Sequence, residues 1–417
     1  MVAQAEAVST PTSARLASLE RAAQLAATPF YLTDLAELER RASAVRNGFP
    51  DPWIVQYSLK ANPLPQLVRR LASHGIGANV VSLGEWAAAS AAGVPNNRIS
   101  FEGIGKTDAE LGRAVQASTR GEPLRWLTVE SADELRALRA AAHQVGAGAQ
   151  PVEVLLRLNP EVHPETRGEF QVGSSESKFG LAEAELKQLF REHIEAASPV
   201  RIRGIHVHVG SQLAQTGAWV AGGVAACRVL EELRSLSHDL DTVDFGGGFP
   251  GAESPAPGDF REALTRALAE AGLSAPARAA VEPGRSLVAS AGWLLTSVLH
   301  VRQRSGRPLV VVDASMSELI RPALYKASHP IFFVRGNAAD SHLAPTMVGG
   351  AVCESTDSFG VHDLPELRRG DLLAIAATGA YASSMFSAYN GRPRPAEVLL
   401  HSDLSLTVAR EPQPFSP

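Results

Sequence analysis

The chain has 417 residues, with 45% hydrophobic and 20% charged side chains, which is the composition of a folded protein with a large core. A formal net charge of −5 leaves no basic excess to neutralise phosphates, so neither nucleic acid nor a membrane surface is expected as a partner. No apolar run approaches the roughly 20 residues that cross a bilayer. The two cysteines, Cys227 and Cys353, could form one disulfide but indicate neither a disulfide framework nor a zinc site.

The N-terminal segment of about 25 residues is rich in Ala, Ser and Thr and lacks a basic start followed by an apolar stretch. It does not have the pattern of a secretory signal. We interpret it as a loose N-terminal arm. The sequence therefore predicts a cytoplasmic protein.

From residue 54 onward, short β-type runs alternate with longer stretches rich in Ala, Leu, Glu and Arg. The eight predicted strands are Ile54–Ser58, Gly77–Val80, Arg98–Glu102, Trp126–Val129, Val154–Leu158, Gly204–Val209, Thr242–Phe245 and Ala279–Glu282. The predicted helices are Pro65–Ser73, Leu83–Ala92, Asp108–Ala117, Ala132–Val145, Glu183–Arg191, Val220–Ser237 and Asp259–Ala271. This alternation predicts a parallel sheet, and a count of eight strands predicts an α/β fold of the (β/α)8 TIM-barrel type.

After Arg285 the helical pattern becomes rare, and short β-type runs with Gly, Pro and Asp between them take over. These runs include Leu309–Val312, Ile331–Val334 and Leu372–Ile375. The segment Phe30–Thr33, ahead of the barrel, is also β-like. We therefore predict a barrel domain over residues 35–290 and a discontinuous, mostly β domain over residues 1–34 and 291–417.

Polar or glycine-rich sequences recur at the ends of the predicted barrel strands, where the chemistry of such barrels collects. The first strand runs into Lys60, the fifth contains Arg157 and ends at Asn159, and the sixth carries His206 and His208 before Ser211. The seventh ends at Gly246, Gly247 and Gly248, and the eighth ends in Glu282-Pro283-Gly284-Arg285. Because polar or glycine-rich sequences occur at five of the eight strand ends, we predict a functional site at this end of the barrel.

Each of these residues also has a plainer interpretation. A lone lysine is usually at the surface, but in a barrel mouth the amine of Lys60 could have a lowered pKa and form an imine. His206 and His208 share one face of a strand, so both could point inward, or one could be a core histidine. The three glycines could form a tight turn or let the backbone approach a phosphate. Glu282 could be structural or could pair with a protonated pyridine nitrogen.

In combination, the motifs resemble the fold-type III pyridoxal-phosphate decarboxylases, which include the diaminopimelate and ornithine decarboxylases. The resemblance runs from about Phe30 to Leu400 and implies an alanine racemase-like barrel followed by a β domain. Its barrel motifs are Tyr57-Ser58-Leu59-Lys60-Ala61-Asn62, Ser177-Lys178-Phe179-Gly180, His206-Val207-His208-Val209-Gly210-Ser211-Gln212, Asp244-Phe245-Gly246-Gly247-Gly248-Phe249 and Glu282-Pro283-Gly284-Arg285. Later motifs are Ile320-Arg321-Pro322-Ala323-Leu324-Tyr325, Cys353-Glu354-Ser355, Gly379-Ala380-Tyr381, Tyr389-Asn390 and Arg392-Pro393.

The resemblance implies pyridoxal 5'-phosphate as the cofactor and assigns it a set of residues. Lys60 would hold it as a Schiff base, His208 would stack on its ring, and Glu282 would pair with its pyridinium nitrogen. The phosphate would be held by Ser211, Gly246, Gly247, Gly248 and the Gly284 region, with Arg285 and Tyr381 also expected at the cofactor.

The resemblance further implies a homodimer whose sites are shared between subunits, with the β-rich domain contributing substrate and interface residues. The second subunit would supply the segment Cys353-Glu354. Cys353 would then be the acid that reprotonates the carbanion left when CO2 departs. Retention of Lys60, Cys353 and Glu282 argues against a non-catalytic relative, and the Cys353-Glu354 segment favours decarboxylation over racemisation.

The expected substrate follows from the β-rich domain. Ornithine-type enzymes place acidic residues against a distal amine where this chain has the stretch from Arg321 to Tyr325. Arginine suits a carboxylate through a two-pronged hydrogen bond, Arg285 could supply a second cation, and Glu354 could meet a distal ammonium group. Together with Tyr325 and Tyr381, these residues favour meso-diaminopimelate, which would give L-lysine.

Four departures from the pattern keep another amino-acid substrate open, either of the ornithine or lysine type or from a siderophore or antibiotic pathway, free or carrier-bound. Ser315 stands where glycine is usual, and Asn79 stands where aspartate is common. The sequence around Phe249-Pro250-Gly251 is similar to the ornithine branch. The segment from Glu102 to Thr107 resembles relatives from the siderophore and antibiotic pathways.

Overall fold

The computed structural model of the chain describes residues 10–145, 150–162, 177–193, 199–237, 239–304, 306–335 and 342–414. The chain divides into two compact units, which we call the barrel unit and the β unit. The barrel unit is Ala42–Gly284, and the β unit combines Met1–Arg41 with Arg285–Pro417. The boundaries predicted from the sequence, 34/35 and 290/291, therefore differ from those in the structure, 41/42 and 284/285.

The N-terminal segment contains a helix, α1 (Ser13–Leu25), followed by strand β1 (Phe30–Asp34) and helix α2 (Leu35–Gly48). The hydroxyl of Thr12 caps α1 by accepting a hydrogen bond from the backbone N–H of Arg15 at 3.2 Å. Leu19 and Ala22 of α1 are fully buried in a core of the β unit. The interpretation of a loose arm is therefore wrong for residues 13–25, because one face of this Ala-rich helix is packed; residues 1–9 lie outside the described residues.

The barrel unit is a closed parallel barrel, which confirms the predicted (β/α)8 fold. Its strands are β2 (Ile54–Ser58), β3 (Gly77–Val80), β4 (Ile99–Phe101), β5 (Trp126–Val129), β6 (Val152–Leu158), β7 (Val200–Val207), β8 (Thr242–Asp244) and β9 (Arg278–Val281). The ring closes where β9 pairs with β2, with Ile54 opposite Ala280. The helices that follow successive strands are α3 (Pro65–Ser73), α4 (Leu83–Ala91), α5 (Asp108–Thr119), α6 (Ala132–Val145), α7 (Glu183–Glu192), α8 (Gly217–Arg234) and α9 (Pro257–Glu270).

Strand β7 begins at Val200, earlier than the predicted start at Gly204. The first residues of the strand were missed because they include charged side chains rather than an apolar run. Arg201 lies 3.5 Å from Asp239, so ion pairing replaces the apolar pattern at this end of the strand. Further along, a Cβ atom on Gly204 would lie 1.8 Å from the carbonyl oxygen of Thr242. Strands β7 and β8 can therefore take up their pairing only with glycine at this position.

In the β unit, the mostly β second domain is confirmed. Its remaining elements are α10 (Arg285–Val288), β10 (Gly292–Arg304), β11 (Arg307–Val312), α11 (Arg321–Tyr325), β12 (Ile331–Arg335), β13 (Ala344–Gly349), β14 (Ser358–Leu364), β15 (Leu372–Ala376), β16 (Glu397–Leu400) and β17 (Leu406–Arg410). In the described part of the chain they form a nine-stranded mixed sheet with the order β14-β13-β11-β10-β1-β16-β17, and β15 joins β10 to β12. None of the described helices is both long and apolar enough to cross a lipid bilayer.

An aromatic cluster in the barrel unit is centred on Trp219 of α8. Trp219 is 2% exposed, and its ring centroid lies 5.6–6.3 Å from those of its aromatic neighbours. These neighbours are Phe49, Phe245, Phe249 and Phe260. Because Phe245 and Phe249 flank the three glycines that follow β8, this packing fixes the loop that carries them.

We expect Trp219→Ala to lower the free energy of unfolding by about 3–5 kcal/mol, because it removes a large buried ring and leaves a cavity. Thermal unfolding followed by circular dichroism measures the loss as a fall in Tm.

Trp219→Phe is the matched control, since it keeps most of the ring contacts. Among the described residues the indole N–H of Trp219 has no hydrogen-bond partner, so phenylalanine breaks no such bond. Equal losses for the alanine and phenylalanine variants would show that ring packing is not what stabilises the loop.

Candidate active site

The end of β2 places Lys60 beside the loop that follows β9. Lys60 lies on a short 3-10 helix, Leu59–Ala61, and its side chain is exposed. The backbone N–H of Ser58 donates to the carbonyl oxygen of Pro283 at 3.1 Å. A Cβ atom on Gly284 would lie 3.3 Å from the Cβ of Ser58, so glycine allows the two strand ends to approach closely.

His208 follows directly after β7 and is held by the glycine loop. The backbone N–H of Gly247 donates to Nδ1 of His208 at 3.0 Å, so Nδ1 carries the lone pair and a neutral ring has its proton on Nε2. Burial and the nearby positive charge of Lys60 hold the pKa of His208 well below its usual range. The ring is therefore neutral at physiological pH and suited to stacking on a flat ligand.

The three glycines after β8 are required by the packing of the protein backbone itself. Cβ atoms at Gly246, Gly247 and Gly248 would lie 2.5, 2.5 and 2.6 Å from backbone carbonyl oxygens. Gly246 and Gly248 also adopt φ values of +67° and +102°, which other residues rarely adopt. A tight turn thus accounts for these glycines, while phosphate binding, here and at Ser211, stays a prediction.

Four ionisable residues at the strand ends form what we call the buried acid cluster: Glu102 after β4, His206 on β7, Asp244 ending β8 and Glu282 after β9. All four are at most 6% exposed. The Nε2 atom of His206 lies 3.5 Å from Oε1 of Glu102 and 3.6 Å from Oε2 of Glu282. In the part of the chain that the structure describes, neither ring nitrogen of His206 makes a hydrogen bond. His206 is therefore an inward-facing residue of the cluster rather than a satisfied core histidine.

Asn79 orients the carboxyl group of Glu282. Its Nδ2 atom donates to Oε1 of Glu282 at 2.8 Å and to Oγ of Ser100 at 3.1 Å, and its Oδ1 accepts from Oγ of Ser58 at 3.4 Å. The strand register produces this row, because Ser58 stands opposite Asn79 and Asn79 stands opposite Ser100. The amide in place of the common aspartate thus gives Glu282 a hydrogen-bond donor instead of another negative charge.

The cluster cannot be fully ionised, because its carboxyl groups are buried side by side. Burial, followed by the negative charge of Glu102, raises the pKa of Glu282 well above its usual range. Burial and the charge of Glu282 raise the pKa of Asp244 in the same way. Burial also acts on Glu102, but His206 and neighbouring hydrogen bonds outweigh it and lower its pKa. Glu102 therefore keeps its charge while Glu282 keeps a proton.

Arg157 on β6 links the cluster to the Ser177–Gly180 motif. Its Nη1 atom donates to Oε1 of Glu130 at 2.9 Å, and the backbone N–H of Gly180 donates to Oε2 of the same carboxylate at 3.2 Å. The guanidinium carbon of Arg157 lies 4.7 Å from the ring centroid of Phe179. Its positive charge helps to lower the pKa of Glu102.

Sequence reasoning left Glu102, Asn79 and Asp244 out of the site. Each lies at a C-terminal strand end in the barrel, which is the signal that identified Lys60 and Glu282. The same rule, applied to the third, second and seventh barrel strands, would have included them.

In the β unit, Arg285 and Tyr381 lie together. Arg285 is 6% exposed, and its guanidinium carbon lies 4.8 Å from the ring centroid of Tyr381, a cation–π contact. Tyr381 has a φ of +58°, which is uncommon for a residue with a bulky side chain. Gly379 precedes it at a close backbone crossing, where a Cβ atom would lie 1.8 Å from the carbonyl oxygen of Val288. The fold thus constrains the backbone that carries this aromatic ring.

Helix α11 carries two further predicted residues, Arg321 and Tyr325. Arg321 is 1% exposed, and its Nη1 atom lies 3.0 Å from Nε2 of His329; Tyr325 is half-buried. This contact joins a buried guanidinium to an imidazole ring and adds no negative charge beside Arg321.

Cys353 and Glu354, after β13, are both exposed in the single chain. The backbone N–H of Cys353 donates to Oδ1 of Asn390 at 3.4 Å, and the hydroxyl of Tyr389 donates to Oε1 of Glu354 at 2.6 Å. This hydrogen bond raises the pKa of Tyr389. The motif Tyr389-Asn390 therefore holds the Cys353-Glu354 segment in place.

Comparison with known proteins links this arrangement to one family. Residues 35–289 match the family model of the pyridoxal-binding domain of pyridoxal-dependent decarboxylases. The chain is 38% identical over 391 residues to the diaminopimelate decarboxylase of Deinococcus radiodurans, covering 92% of each, and 34% identical over 391 residues to that of Aquifex aeolicus, covering 92% of this chain and 89% of the relative. The crystal structure of Helicobacter pylori diaminopimelate decarboxylase with L-lysine is similar, with a TM-score of 0.87, 32% identity, and coverage of 95% of this chain and 97% of that one.

We expect Glu282→Gln to stabilise the cofactor-free protein more at about pH 8 than at about pH 5. The raised pKa of Glu282 means that the folded state holds a proton that the unfolded state loses as pH rises past about 4.3, so this residue lowers stability with rising pH. Glutamine removes that dependence. Thermal unfolding at both pH values measures the difference in Tm between variant and wild type.

The control is Glu366→Gln, which removes an exposed carboxyl group. Its Tm difference from wild type should be the same at both pH values. A Tm difference for Glu282→Gln that is constant or shrinks with rising pH would contradict the assignment of the proton to Glu282.

Proposed function

The chain belongs to the pyridoxal-dependent decarboxylases, and we propose that it decarboxylates meso-diaminopimelate to L-lysine and CO2. The enzyme is a carboxy-lyase, and its cofactor is pyridoxal 5'-phosphate. Two findings support the substrate: the relatives matched over 92% of the chain are diaminopimelate decarboxylases, and the β unit contains buried arginines that suit a second carboxylate.

The barrel residues fit the chemical groups of this cofactor. Lys60 offers an amine for its aldehyde, His208 a neutral ring for its face, and Glu282 a carboxyl group for its ring nitrogen. When bound, the cofactor supplies an electron-withdrawing ring that stabilises negative charge at Cα as CO2 leaves. We propose Ser211, the glycines 246–248 and Gly284 as the residues that hold its phosphate.

The buried acid cluster gives Glu282 a defined role in this proposal. Its raised pKa keeps a proton on the carboxyl group, and Asn79 fixes the carboxyl by donating to Oε1. Glu282 therefore holds a proton that it can share with a ring nitrogen, without proton transfer from bulk water.

Arg321 is the observation that carries the substrate assignment. An arginine that is 1% exposed and contacts an imidazole is held rigidly, with its charge uncancelled by that contact. We propose that it binds the distal carboxylate together with Arg285, that Glu354 binds the distal ammonium group, and that Tyr325 and Tyr381 complete the substrate contacts.

Cys353 is the proposed proton donor. After CO2 leaves, the thiol would give its proton to Cα, which converts the carbanion to a methylene group and leaves a thiolate. We further propose a homodimer in which Cys353 and Glu354 of one subunit complete the site of the other. Exposure of both side chains in the single chain is consistent with this arrangement. Both cysteines are free thiols, as in the reducing cytoplasm, where we place the enzyme.

We expect the holoenzyme to release CO2 from meso-diaminopimelate in preference to L-ornithine, L-lysine and carrier-bound amino acids. Arg321→Ala should lower kcat/KM for meso-diaminopimelate by about a hundredfold, because a charge-assisted pair with the distal carboxylate is lost. Stopped assays of released CO2 over this substrate panel measure both quantities.

The diamine precursors serve as the internal control, because they carry no distal carboxylate. If Arg321→Ala lowers kcat/KM equally for L-ornithine and meso-diaminopimelate, Arg321 does not recognise the distal carboxylate. Turnover of another amino acid, with none of meso-diaminopimelate, would overturn the substrate but not the enzyme class.

Mixing two inactive variants tests the shared site. If Cys353 acts in the partner's site, a dimer of one Lys60→Ala chain and one Cys353→Ala chain contains one intact site and one doubly altered site. Random reassortment of equal amounts should then restore about one quarter of wild-type activity.

Each variant reassorted with itself is the control and should stay inactive. If the mixture also stays inactive although light scattering shows dimers that exchange subunits, Lys60 and Cys353 belong to the same chain's site.

A further inference from the structure

His329 occupies a defined position between Arg321 and the central sheet of the β unit. It follows α11 and is 2% exposed. Its Nε2 atom lies 3.0 Å from Nη1 of Arg321, and its Nδ1 atom lies 3.0 Å from the carbonyl oxygen of Ala376. The imidazole therefore bridges a side chain and a backbone acceptor.

These two contacts determine which ring nitrogen carries the proton. A carbonyl oxygen can only accept a hydrogen bond, so Nδ1 of His329 must carry a hydrogen. A guanidinium can only donate, so Nε2 must present its lone pair to Arg321. The geometry thus requires a neutral His329 with its proton on Nδ1.

The backbone acceptor is part of a rigid strand. Ala376 ends β15, is fully buried, and pairs with Trp293 of β10. Its own N–H donates to the carbonyl oxygen of Pro330, next to His329 in the chain, at 2.9 Å. The ring is therefore anchored to the sheet and can fix the direction of the guanidinium.

We propose that His329 is a positioning residue that aims Arg321 at the distal carboxylate of the substrate. The inference rests on the proposed function, in which Arg321 binds that carboxylate. A carboxylate at the position of His329 would add a negative charge beside Arg321, whereas the lone pair of a neutral imidazole accepts the same hydrogen bond without adding one.

Product analogues isolate this effect. Decarboxylation of meso-diaminopimelate leaves L-lysine, which keeps the distal carboxylate, whereas cadaverine is the same molecule without that group. The ratio of their inhibition constants against the holoenzyme therefore measures recognition of the carboxylate alone. In wild type, L-lysine should inhibit more strongly than cadaverine.

Two amide substitutions separate the two hydrogen bonds of His329. In His329→Asn, the amide nitrogen can replace Nδ1 and donate to Ala376, but nothing reaches Arg321. In His329→Gln, the amide oxygen can replace Nε2 and accept from Arg321. We expect the asparagine variant to lose about tenfold in the preference for L-lysine and to raise KM for meso-diaminopimelate with kcat little changed, because one charge-assisted hydrogen bond is lost. In the glutamine variant, the preference for L-lysine and the KM for meso-diaminopimelate should both be close to the wild-type values.

Several outcomes would overturn the inference. An asparagine variant that keeps the wild-type preference, or a glutamine variant that loses as much as asparagine, excludes positioning through Nε2. If the asparagine variant does not fold, His329→Met keeps the volume without a ring nitrogen and takes its place in the same comparison. His300→Asn, at an exposed position on β10, is the matched control and should change neither measurement.

The same measurements distinguish this inference from the proposed function. If the wild-type enzyme neither decarboxylates meso-diaminopimelate nor prefers L-lysine to cadaverine, the proposed function and the role of His329 are both wrong. If the wild-type enzyme decarboxylates meso-diaminopimelate and prefers L-lysine, and His329→Asn gives the same values, only the proposed role of His329 is wrong.

Discussion

Buried charge at the ends of the barrel strands is the constraint on which the described site depends. A closed ring of strands leaves little water for Glu102, Asp244 and Glu282, so each charge must be matched by a proton or by a partner. The protein meets this requirement by leaving Glu102 ionised, keeping a proton on Glu282 and supplying the Asn79 amide as a donor. Lys60 lies at the end of a neighbouring strand, and its charge also favours ionisation of Glu282. A change in the charge of Lys60 would therefore shift the proton balance of the acids around it.

In the β unit, two buried arginines each contact an uncharged ring. Arg321 contacts the imidazole of His329, and Arg285 contacts the ring of Tyr381. Neither contact adds a negative charge beside the guanidinium, which suits the proposed role of both arginines in binding a carboxylate. If these arginines bind the substrate as proposed, selectivity for two carboxylates depends on how their side chains are held as well as on their presence.

The barrel and the polar residues at its strand ends were predictable because their signals are local. Alternating patterns gave the eight strands, and strand ends gave Lys60, His208 and Glu282. The hydrogen bond of Asn79 to Glu282 was not predictable, since it depends on strand register and side-chain proximity across the barrel. The helix around Leu19 was missed for a related reason: its burial comes from strands distant in sequence. The roles of the β-unit residues were predicted from family motifs alone. The contact between His329 and Arg321 was not predicted, because no periodic sequence pattern indicates it.

The pairing of β1 has a consequence for synthesis on the ribosome. The barrel unit is one uninterrupted stretch, Ala42–Gly284, so all its strands are synthesised before the rest of the β unit. Strand β1 precedes it, yet Tyr31 pairs with Leu294 on one side and with Glu397 on the other. At about 5–20 residues per second, β1 waits some tens of seconds for its last neighbour. During that interval its apolar residues must be shielded by the nascent chain itself or by a chaperone.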